Sequence, residues 1–256
     1  MLSGWIKGTP PIVDPGDLLI IDPHPGLVAQ SLIELGVSHF QMIPDQLHNT
    51  EYLILAIKPQ GFQALSEQIA GKLTNGCVVI SIMAGITLAQ LRDAFPEQYC
   101  VRAMPNTPAS IGAGITGFVT DKSLGADQSD FVKTLLSSTG SAIEVKSEIE
   151  IDMVTAISGS GPAYFFYLVE ALSEAGEKLG LSKEQASQLA HQTLIGAGAL
   201  LAQSGETAEN LRKAVTSPNG TTQAALERLM GPTGLDPAVE EAVKAAFDRS
   251  VELGNS

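Results

Sequence analysis

The first half of the chain alternates short apolar runs with segments of helical pattern. Turn residues bound the apolar runs, which are LLIID (18–22), YLILAI (52–57), CVVISIM (77–83) and YCVRAM (99–104). Continuous runs of this kind are typical of strands buried on both faces of a parallel sheet. Helical segments lie between them, at about 25–36, 59–73 and 87–95. The alternation predicts a doubly wound α/β domain, with GITGFVT and SAIEVK as two further strands.

From residue 147 onward, one helical segment follows another. SEIE and SKEQ have the spacing of capping boxes, in which Ser147 would pair with Glu150 and Ser182 with Gln185. The change of pattern predicts a dinucleotide-binding domain over 1–146 and an all-α domain over 147–256.

Two segments of this helical half carry further predictions. DPAVEEAVKAAF offers Asp236 as an N-cap and Pro237 as the first helical residue. GPAYFFYLVEALSEAG is apolar around its whole circumference, which predicts a helix that is buried, either within the domain or against a second subunit.

Composition narrows the function classes. The chain has 256 residues, of which 44% are hydrophobic and 17% charged, with a formal net charge of −13 and no basic run. Nucleic acid and anionic membranes are therefore not expected as partners. There is no apolar stretch of membrane-spanning length and no leader pattern, so we predict a soluble cytoplasmic protein. Cys77 and Cys100 lie in strand-like runs and are expected to be reduced and buried, and the scattered histidines predict no metal site.

The opening element of a doubly wound nucleotide domain is missing from the sequence. Such a domain begins with a strand and a glycine-rich turn that holds the pyrophosphate. Here MLSGWIKGT has the pattern of the second half of the first helix, and LLIID that of the second strand, which puts Asp22 where it could bind a ribose hydroxyl. The absence of a central strand would leave two strands with unpaired edges. Either the native chain starts upstream of Met1, or this variant lacks the element.

Three turns with candidate chemistry follow successive strands. AIKPQ carries Lys58, SIMAGIT is rich in small residues, and RAMPNTPA holds Asn106 and Thr107 between two prolines. Ligands of open α/β sheets bind at the carboxyl ends of the strands, so the three turns predict one crevice. Each turn taken alone also fits a plain connection, with Lys58 as a solvated strand-end lysine.

A sharp polar turn, SPNGTT, interrupts the helical half. It would leave the amides of Gly220, Thr221 and Thr222 at a helix N-terminus, where unsatisfied donors and the helix dipole suit a carboxylate. An ordinary turn with threonine as N-cap is the alternative. SGSGPAY lacks the spacing of a hydrolase nucleophile elbow, so its glycines suit close packing or close approach of a ligand.

Together these segments resemble the pyrroline-5-carboxylate reductase family. The matching stretches stand in the family's order and spacing across essentially the whole chain; they are AIKPQ, SIMAGIT, VRAMPNTPA, AISGSGPAYFF and VTSPNGTTQAAL. The resemblance implies an oxidoreductase that reduces the C=N bond of 1-pyrroline-5-carboxylate to L-proline, the last step of proline biosynthesis, with hydride from NADPH or NADH. It also implies a homodimer built from intertwined C-terminal helices, often further assembled into a decamer, in which each site draws on two chains.

The resemblance implies site residues as well. The substrate carboxylate would lie on the turn of Gly220, Thr221 and Thr222, with the Thr222 hydroxyl toward the ring nitrogen as the catalytic group and Glu148 beside the substrate. Nicotinamide and ribose would follow the turns that contain Ala56, Ile57, Lys58 and Pro59, and Met83, Ala84 and Gly85. Asp22 and Asn106 complete the expected cofactor residues.

This sequence departs from the family at three places. The glycine loop is missing, Ile43 stands where the family commonly has an asparagine, and Asn219 replaces a usual glycine. Asp22 would repel the 2′-phosphate of NADPH or accept the ribose hydroxyls of NADH, so both cofactors stay open. Two other functions also stay open: a non-catalytic relative that dimerises but binds dinucleotide poorly, and a reductase of another imine or hydroxy acid.

Overall fold

The structure, a computed structural model, describes residues 5–6, 11–121 and 124–254. The chain forms two compact units, Met1–Gly159 together with Phe247–Ser256, and Ser160–Ala246. The first unit is α/β and the second is helical. The predicted fold class, a doubly wound α/β domain followed by an all-α domain, is confirmed, and no strand precedes residue 19 among the described residues. The predicted domain boundary at 146/147 stays a prediction, and the compact units divide after Gly159 instead.

The strands of the first unit form two sheets. A two-stranded parallel sheet pairs β1 with β2, and a five-stranded sheet has the order β3-β4-β5-β6-β7. Neighbours in the larger sheet are parallel except β5 and β6. The strands are β1 (Leu19–Ile21), β2 (Ser38–Phe40), β3 (Tyr52–Leu55), β4 (Val78–Ser81), β5 (Tyr99–Met104), β6 (Gly114–Thr120) and β7 (Gly140–Glu144).

Short helices lie before, between and after these strands. They are α1 (Leu27–Ile33), α2 (Phe62–Ile69), α3 (Leu88–Ala94), α4 (Ala126–Ser137) and α5 (Glu148–Val154), with 3-10 turns at Pro15–Asp17, Pro59–Gly61 and Thr107–Ile111. Trp5 and Ile6 are helical too, as predicted, and the other residues of MLSGWIKGT lie outside the described residues.

The sheet is covered on both faces. Along β4, Val79 belongs to one buried cluster, whereas Val78 and Ile80 belong to another. The first cluster includes residues of α2, α3 and α5. The second includes residues of α4 together with Trp5. The indole Nε1 of Trp5 donates to the Leu135 carbonyl at 2.9 Å. Because successive side chains of a strand point to opposite faces, the uninterrupted apolar run of β4 follows directly from this two-sided burial.

The two sheets meet at the position where a central strand was predicted to be missing. Among the described residues, β1 pairs only with β2, and β3 only with β4. Leu19 and Ile21 of β1 nevertheless pack on the same buried cluster as Leu53 and Leu55 of β3. The apolar packing of the two sheets is therefore shared, while one edge of β1 and one edge of β3 have no strand partner among the described residues.

The second unit consists of helices. After a π-helical turn at Thr155–Gly159 come α6 (Gly161–Lys178), α7 (Lys183–Ser204), α8 (Ala208–Ala214), α9 (Thr221–Leu229) and α10 (Leu235–Gly254), whose last residues belong to the first unit. A side chain on Gly176 would lie 3.1 Å from the Ala186 Cβ, so small residues let α6 and α7 pack closely. In the described part of the chain, no helix is long and apolar enough to cross a membrane.

Local predictions for the helix ends succeeded in part. The Ser182 hydroxyl accepts the Gln185 amide at 3.2 Å and forms the predicted capping box. The Ser147 box was wrong, because Ser147 makes no capping bond and the Glu150 carboxylate instead accepts the Lys146 amide. The N-cap prediction for Asp236 was also wrong, because α10 starts one residue earlier, at Leu235.

Both cysteines are free and buried, as predicted. Burial raises the pKa of the Cys77 thiol to about 11. At neutral pH this thiol is protonated and unreactive, so Cys77 is a core residue.

Candidate active site

The turns after β3, β4 and β5 share one edge of the sheet, as the sequence predicted. These strands are parallel neighbours, and the Ile82 amide donates to the Leu55 carbonyl at 3.2 Å, so the pairing of β3 with β4 continues to their carboxyl ends. After β3, Ala56, Ile57 and Lys58 are exposed and Pro59 starts a 3-10 turn. The turn after β3 is therefore an open surface at the carboxyl ends of the strands, the edge at which open α/β sheets bind ligands.

The turn after β4 is shaped by Gly85. Its φ of +79° lies in the left-handed region that favours glycine. A side chain here would also lie 3.1 Å from the Leu253 Cβ and 3.2 Å from the Leu253 carbonyl oxygen, because the end of α10 packs on this turn. Met83 is buried beneath the turn, and Ala84 is exposed. The exposed residue of the turn, Ala84, is small and would let a flat ring or a ribose approach the backbone.

Asp22 follows β1 in the two-stranded sheet. Its Oδ1 accepts the His24 amide at 2.8 Å, and His39 Nε2 makes a 2.8 Å hydrogen bond with the Asp22 carbonyl. The other carboxylate oxygen accepts no hydrogen bond from the described residues, and the side chain is half-buried. Asp22 can therefore offer an acceptor to a vicinal diol while its backbone is held in place.

Asn106 follows β5, and its side chain is partly used by the protein itself. The Asn106 Oδ1 accepts the Ile115 amide at 2.9 Å, which fixes the start of β6 against the turn. The amide nitrogen of Asn106 donates to no acceptor among the described residues, so Asn106 can offer a ligand a hydrogen-bond donor, and Oδ1 keeps a second lone pair.

Glu148 joins three elements of the first unit. It is the first residue of α5, and its Oε1 accepts the Leu88 amide of α3 at 2.7 Å and the Arg102 Nη1 of β5 at 2.9 Å. Arg102 is 3% exposed, whereas the Glu148 side chain is 31% exposed. The Glu148 carboxylate is thus held by buried donors on one side and accessible to solvent on the other.

Gly220, Thr221 and Thr222 belong to the second unit, where they begin α9. Gly220 is the N-cap and has no side chain to cap the helix. Thr221, Thr222 and Gln223 follow it, and their amides donate to no acceptor in the described part of the chain. Three backbone donors at the positive end of a helix dipole form a site for an anion.

The preceding residues hold this turn in shape. The Gly220 amide donates to the Ser217 carbonyl at 3.1 Å, so the prediction that this amide is free was wrong. Asn219 has a φ of +60°, which asparagine tolerates in place of glycine, and its amide donates to Gln223 Oε1 at 2.8 Å. A side chain on Gly220 would lie 2.5 Å from the Ser217 Oγ and 3.1 Å from the Ser217 carbonyl oxygen, so the crowding in this turn favours glycine there.

Three functional candidates were missed in the sequence, namely Arg102, Asp152 and Ser250. Arg102 Nη2 donates to Asp152 Oδ1 at 2.8 Å, and the Ser250 hydroxyl of α10 donates to the same oxygen at 2.8 Å. A signal was available: Arg102 is a lone charge in an apolar strand, and such a residue needs a buried partner. Glu148 and Asp152 are four residues apart, which places both carboxylates on one helix face.

A metal centre has no support in the described ranges, where no group of three or more His, Cys, Asp and Glu residues could hold an ion.

Comparison with known proteins identifies the family. Residues 148–253 match the family model described as pyrroline-5-carboxylate reductase dimerisation. A pyrroline-5-carboxylate reductase of Pseudomonas aeruginosa is 39% identical over 233 residues, which cover 91% of this chain and 85% of the relative. One from Synechocystis is 40% identical over 205 residues, which cover 80% of this chain and 76% of the relative.

Similarity to solved structures indicates the same family. The chain is similar to a pyrroline-5-carboxylate reductase from Coxiella burnetii, with a TM-score of 0.83, 33% identity and coverage of 95% of this chain and 90% of that one. It is also similar to a Plasmodium falciparum pyrroline carboxylate reductase solved with NADP bound, with a TM-score of 0.79, 27% identity and coverage of 95% and 89%. On this sequence and structural similarity, the chain belongs to the pyrroline-5-carboxylate reductase family.

Proposed function

We propose that the protein reduces 1-pyrroline-5-carboxylate to L-proline with NADPH or NADH, as the final step of proline biosynthesis. The observation that carries this proposal is the turn before α9, in which a glycine N-cap leaves three amide donors for a substrate carboxylate. The family membership supplies the reaction, and the turn supplies a group in this chain that suits the substrate.

The carboxylate of the substrate is proposed to lie on the amides of Thr221 and Thr222. Helix N-termini bind anions through their free donors and their dipole, and α9 offers both. The Thr222 hydroxyl, half-buried one residue into the helix, is proposed to point to the ring nitrogen. Carboxylate and nitrogen would then be held together, which fixes the orientation of the C=N bond.

The chemistry needs position and charge more than a strong base. A cyclic imine can be protonated near neutral pH, and the resulting cation already accepts hydride at carbon. Both cysteines are free and buried, so neither is open to a substrate as a nucleophile. Anion-binding amides for the carboxylate and a carboxylate for the cation, Glu148, meet the electrostatic requirement.

The described residues fit the nucleoside part of a dinucleotide. Asp22 offers an acceptor, Asn106 offers a donor, and the turns of Ala56–Pro59 and Met83–Gly85 offer an open edge with a small-residue surface. The cofactor, when bound, supplies the hydride for the C=N carbon. These turns would hold its ribose and nicotinamide, while the described residues include no glycine-rich turn for the pyrophosphate.

Assembly as a homodimer through the helical unit is part of the proposal. The α6 segment that was predicted to be buried exposes large apolar side chains in the single chain, with Phe165 57%, Phe166 59% and Tyr167 71% exposed. Exposed apolar patches of this kind mark interfaces. Further assembly into a decamer and a cytoplasmic location complete the proposal.

Product analysis with a panel of cyclic imines tests the function. The purified protein is supplied with NADPH or NADH and with imines of five- and six-membered rings, with and without a carboxylate. We expect L-proline from the five-membered imine acid and much slower reaction of the imine without a carboxylate. Faster reduction of a six-membered ring would assign a different substrate, and indifference to the carboxylate would exclude the α9 turn as its binding site.

A further inference from the structure

A network of charged hydrogen bonds links Glu148 to buried residues of the first unit. Arg102 reaches out from β5 between two carboxylates of α5, with Nη1 on Glu148 Oε1 at 2.9 Å and Nη2 on Asp152 Oδ1 at 2.8 Å. All three residues belong to the first unit. The guanidinium is 3% exposed, so its position is fixed by packing as well as by the two ion pairs.

Only one oxygen of Glu148 takes part in this arrangement. Oε1 accepts both the Arg102 guanidinium and the Leu88 amide, at 2.9 and 2.7 Å. Two donors on a single oxygen fix the carboxylate plane and leave Oε2 with no donor from the described residues. Since the side chain is 31% exposed, Oε2 is the oxygen that a ligand can reach.

Asp152 also accepts a hydrogen bond from a residue near the C-terminal end of the polypeptide. The Ser250 hydroxyl on α10 donates to Asp152 Oδ1 at 2.8 Å, and both residues are buried. Leu253, three residues later on α10, packs on Gly85 in the turn after β4. The end of α10 therefore supports the Arg102 network and a turn of the candidate cofactor surface at the same time.

The charges do not cancel. Two carboxylates share one guanidinium, so the cluster of Arg102, Glu148 and Asp152 carries a net charge of −1 when all three are ionised. The more exposed carboxylate, Glu148, presents this excess to solvent. A negative group of this kind, partly shielded from water, stabilises a nearby cation more strongly than an exposed one does.

We propose that Arg102 is a positioning residue that orients the Glu148 carboxylate toward the protonated imine, with Asp152 and Ser250 holding Arg102 in place. This inference rests on the proposed function, since the imine is its substrate. A purely structural role, in which the ion pairs only tie α5 to the sheet, is the competing explanation.

A double-mutant cycle separates the two explanations. Arg102→Lys keeps the charge but cannot bridge both carboxylates, and Glu148→Gln keeps the shape but removes the charge. We expect each to lower kcat/KM for pyrroline-5-carboxylate by about tenfold or more, with the KM for the dinucleotide changed by less than about twofold. If Arg102 acts through Glu148, the double variant should be no slower than Glu148→Gln alone. Losses that multiply in the double variant would overturn the proposal.

A milder change tests the support from α10. Ser250→Ala should lower kcat/KM for the imine by about threefold to tenfold, because Asp152 loses one of its two donors. Arg249→Ala on the same helix is the control, since its ion pair with Glu252 is exposed and involves none of Arg102, Glu148 and Asp152. Equal effects of the two changes would show that Ser250 acts only on the stability of the helix.

A structural measurement decides the point independently of activity. In a crystal structure of Arg102→Lys, Glu148 Oε1 should have left the Leu88 amide or rotated so that its carboxylate plane differs from that of the unaltered protein. If the Glu148 carboxylate of the variant keeps the position that it has in the unaltered protein, the proposal is overturned. This outcome does not depend on which substrate the protein reduces. Failure of the proposed function alone would give a different pair of results. The unaltered protein would show no turnover, while Glu148 would still be displaced in the variant.

Discussion

At the scale of single residues, the candidate groups are of two kinds: backbone amides at the start of α9, and side chains linked through Arg102. Thr222 and Gly220 were predicted because helix-breaking residues mark a helix start from sequence alone. Arg102 was missed because its role depends on Glu148 and Asp152, which lie 46 and 50 residues further along the chain. Partners so far apart are fixed by the packing of α5 on the sheet, which a local pattern does not specify.

Removal of the Thr222 hydroxyl tests the proposed contact with the ring nitrogen. We expect Thr222→Ala to lower kcat by about tenfold or more while the dissociation constant of the dinucleotide stays within about twofold, because the hydroxyl would act on the imine alone. Steady-state kinetics and calorimetry measure the two quantities. Thr221→Ala is the matched control, since it keeps the backbone amide and should stay near the unaltered rate. An unchanged kcat for Thr222→Ala would remove Thr222 from the mechanism.

Asp22 tests which cofactor the first unit prefers. Its free carboxylate oxygen suits the ribose hydroxyls of NADH and opposes the 2′-phosphate of NADPH. We expect Asp22→Ser to raise the ratio of kcat/KM for NADPH to that for NADH. Asp14→Ser, an exposed aspartate before β1, controls for the loss of one negative charge. A ratio that does not move would show that Asp22 does not face the ribose.

At the scale of elements, strands buried on both faces were predictable and short polar ones were not. β4 is a run of apolar residues because helices cover both of its faces. β2 escaped prediction because its three residues, Ser38–Phe40, have no apolar run and are exposed at both ends. The turn after β4 was predicted from its small residues, but its contact with the end of α10 depends on tertiary packing.

Gly85 provides a stability test of that turn. Gly85→Ala would place a side chain in the left-handed region and 3.1 Å from the Leu253 Cβ. We expect the free energy of unfolding to fall by about 1–2 kcal/mol or more, from backbone strain alone. Gly76→Ala, a glycine before β4 with nothing within 4 Å of the added carbon, should change stability far less. Urea denaturation measures both, and equal stability of the two variants would contradict the account of this turn.

At the scale of the whole molecule, the apolar composition of α6 is consistent with an interface to a second subunit. The sequence predicted a buried helix, yet its aromatic side chains are exposed in the single chain. The family model that covers 148–253 is described as a dimerisation region, which accounts for the difference. Burial against a copy of the same chain is not visible in the pattern of one helix, because the periodicity does not distinguish a domain core from an interface.

A charge on α6 should break the dimer. Phe166 is 59% exposed, and Phe166→Glu would place a carboxylate in an interface that we propose to be apolar. Light scattering coupled to size-exclusion chromatography should then find a monomer where the unaltered protein is a dimer. Lys178→Glu, at the exposed end of the same helix, should stay dimeric. A dimeric Phe166→Glu protein would place the interface elsewhere.

The most direct test of the account is the rate at which the purified protein oxidises NADPH and NADH in the presence of pyrroline-5-carboxylate. We predict oxidation that depends on the imine and yields one L-proline for each dinucleotide consumed. A folded dimer that shows no imine-dependent oxidation with either cofactor would contradict the reductase function.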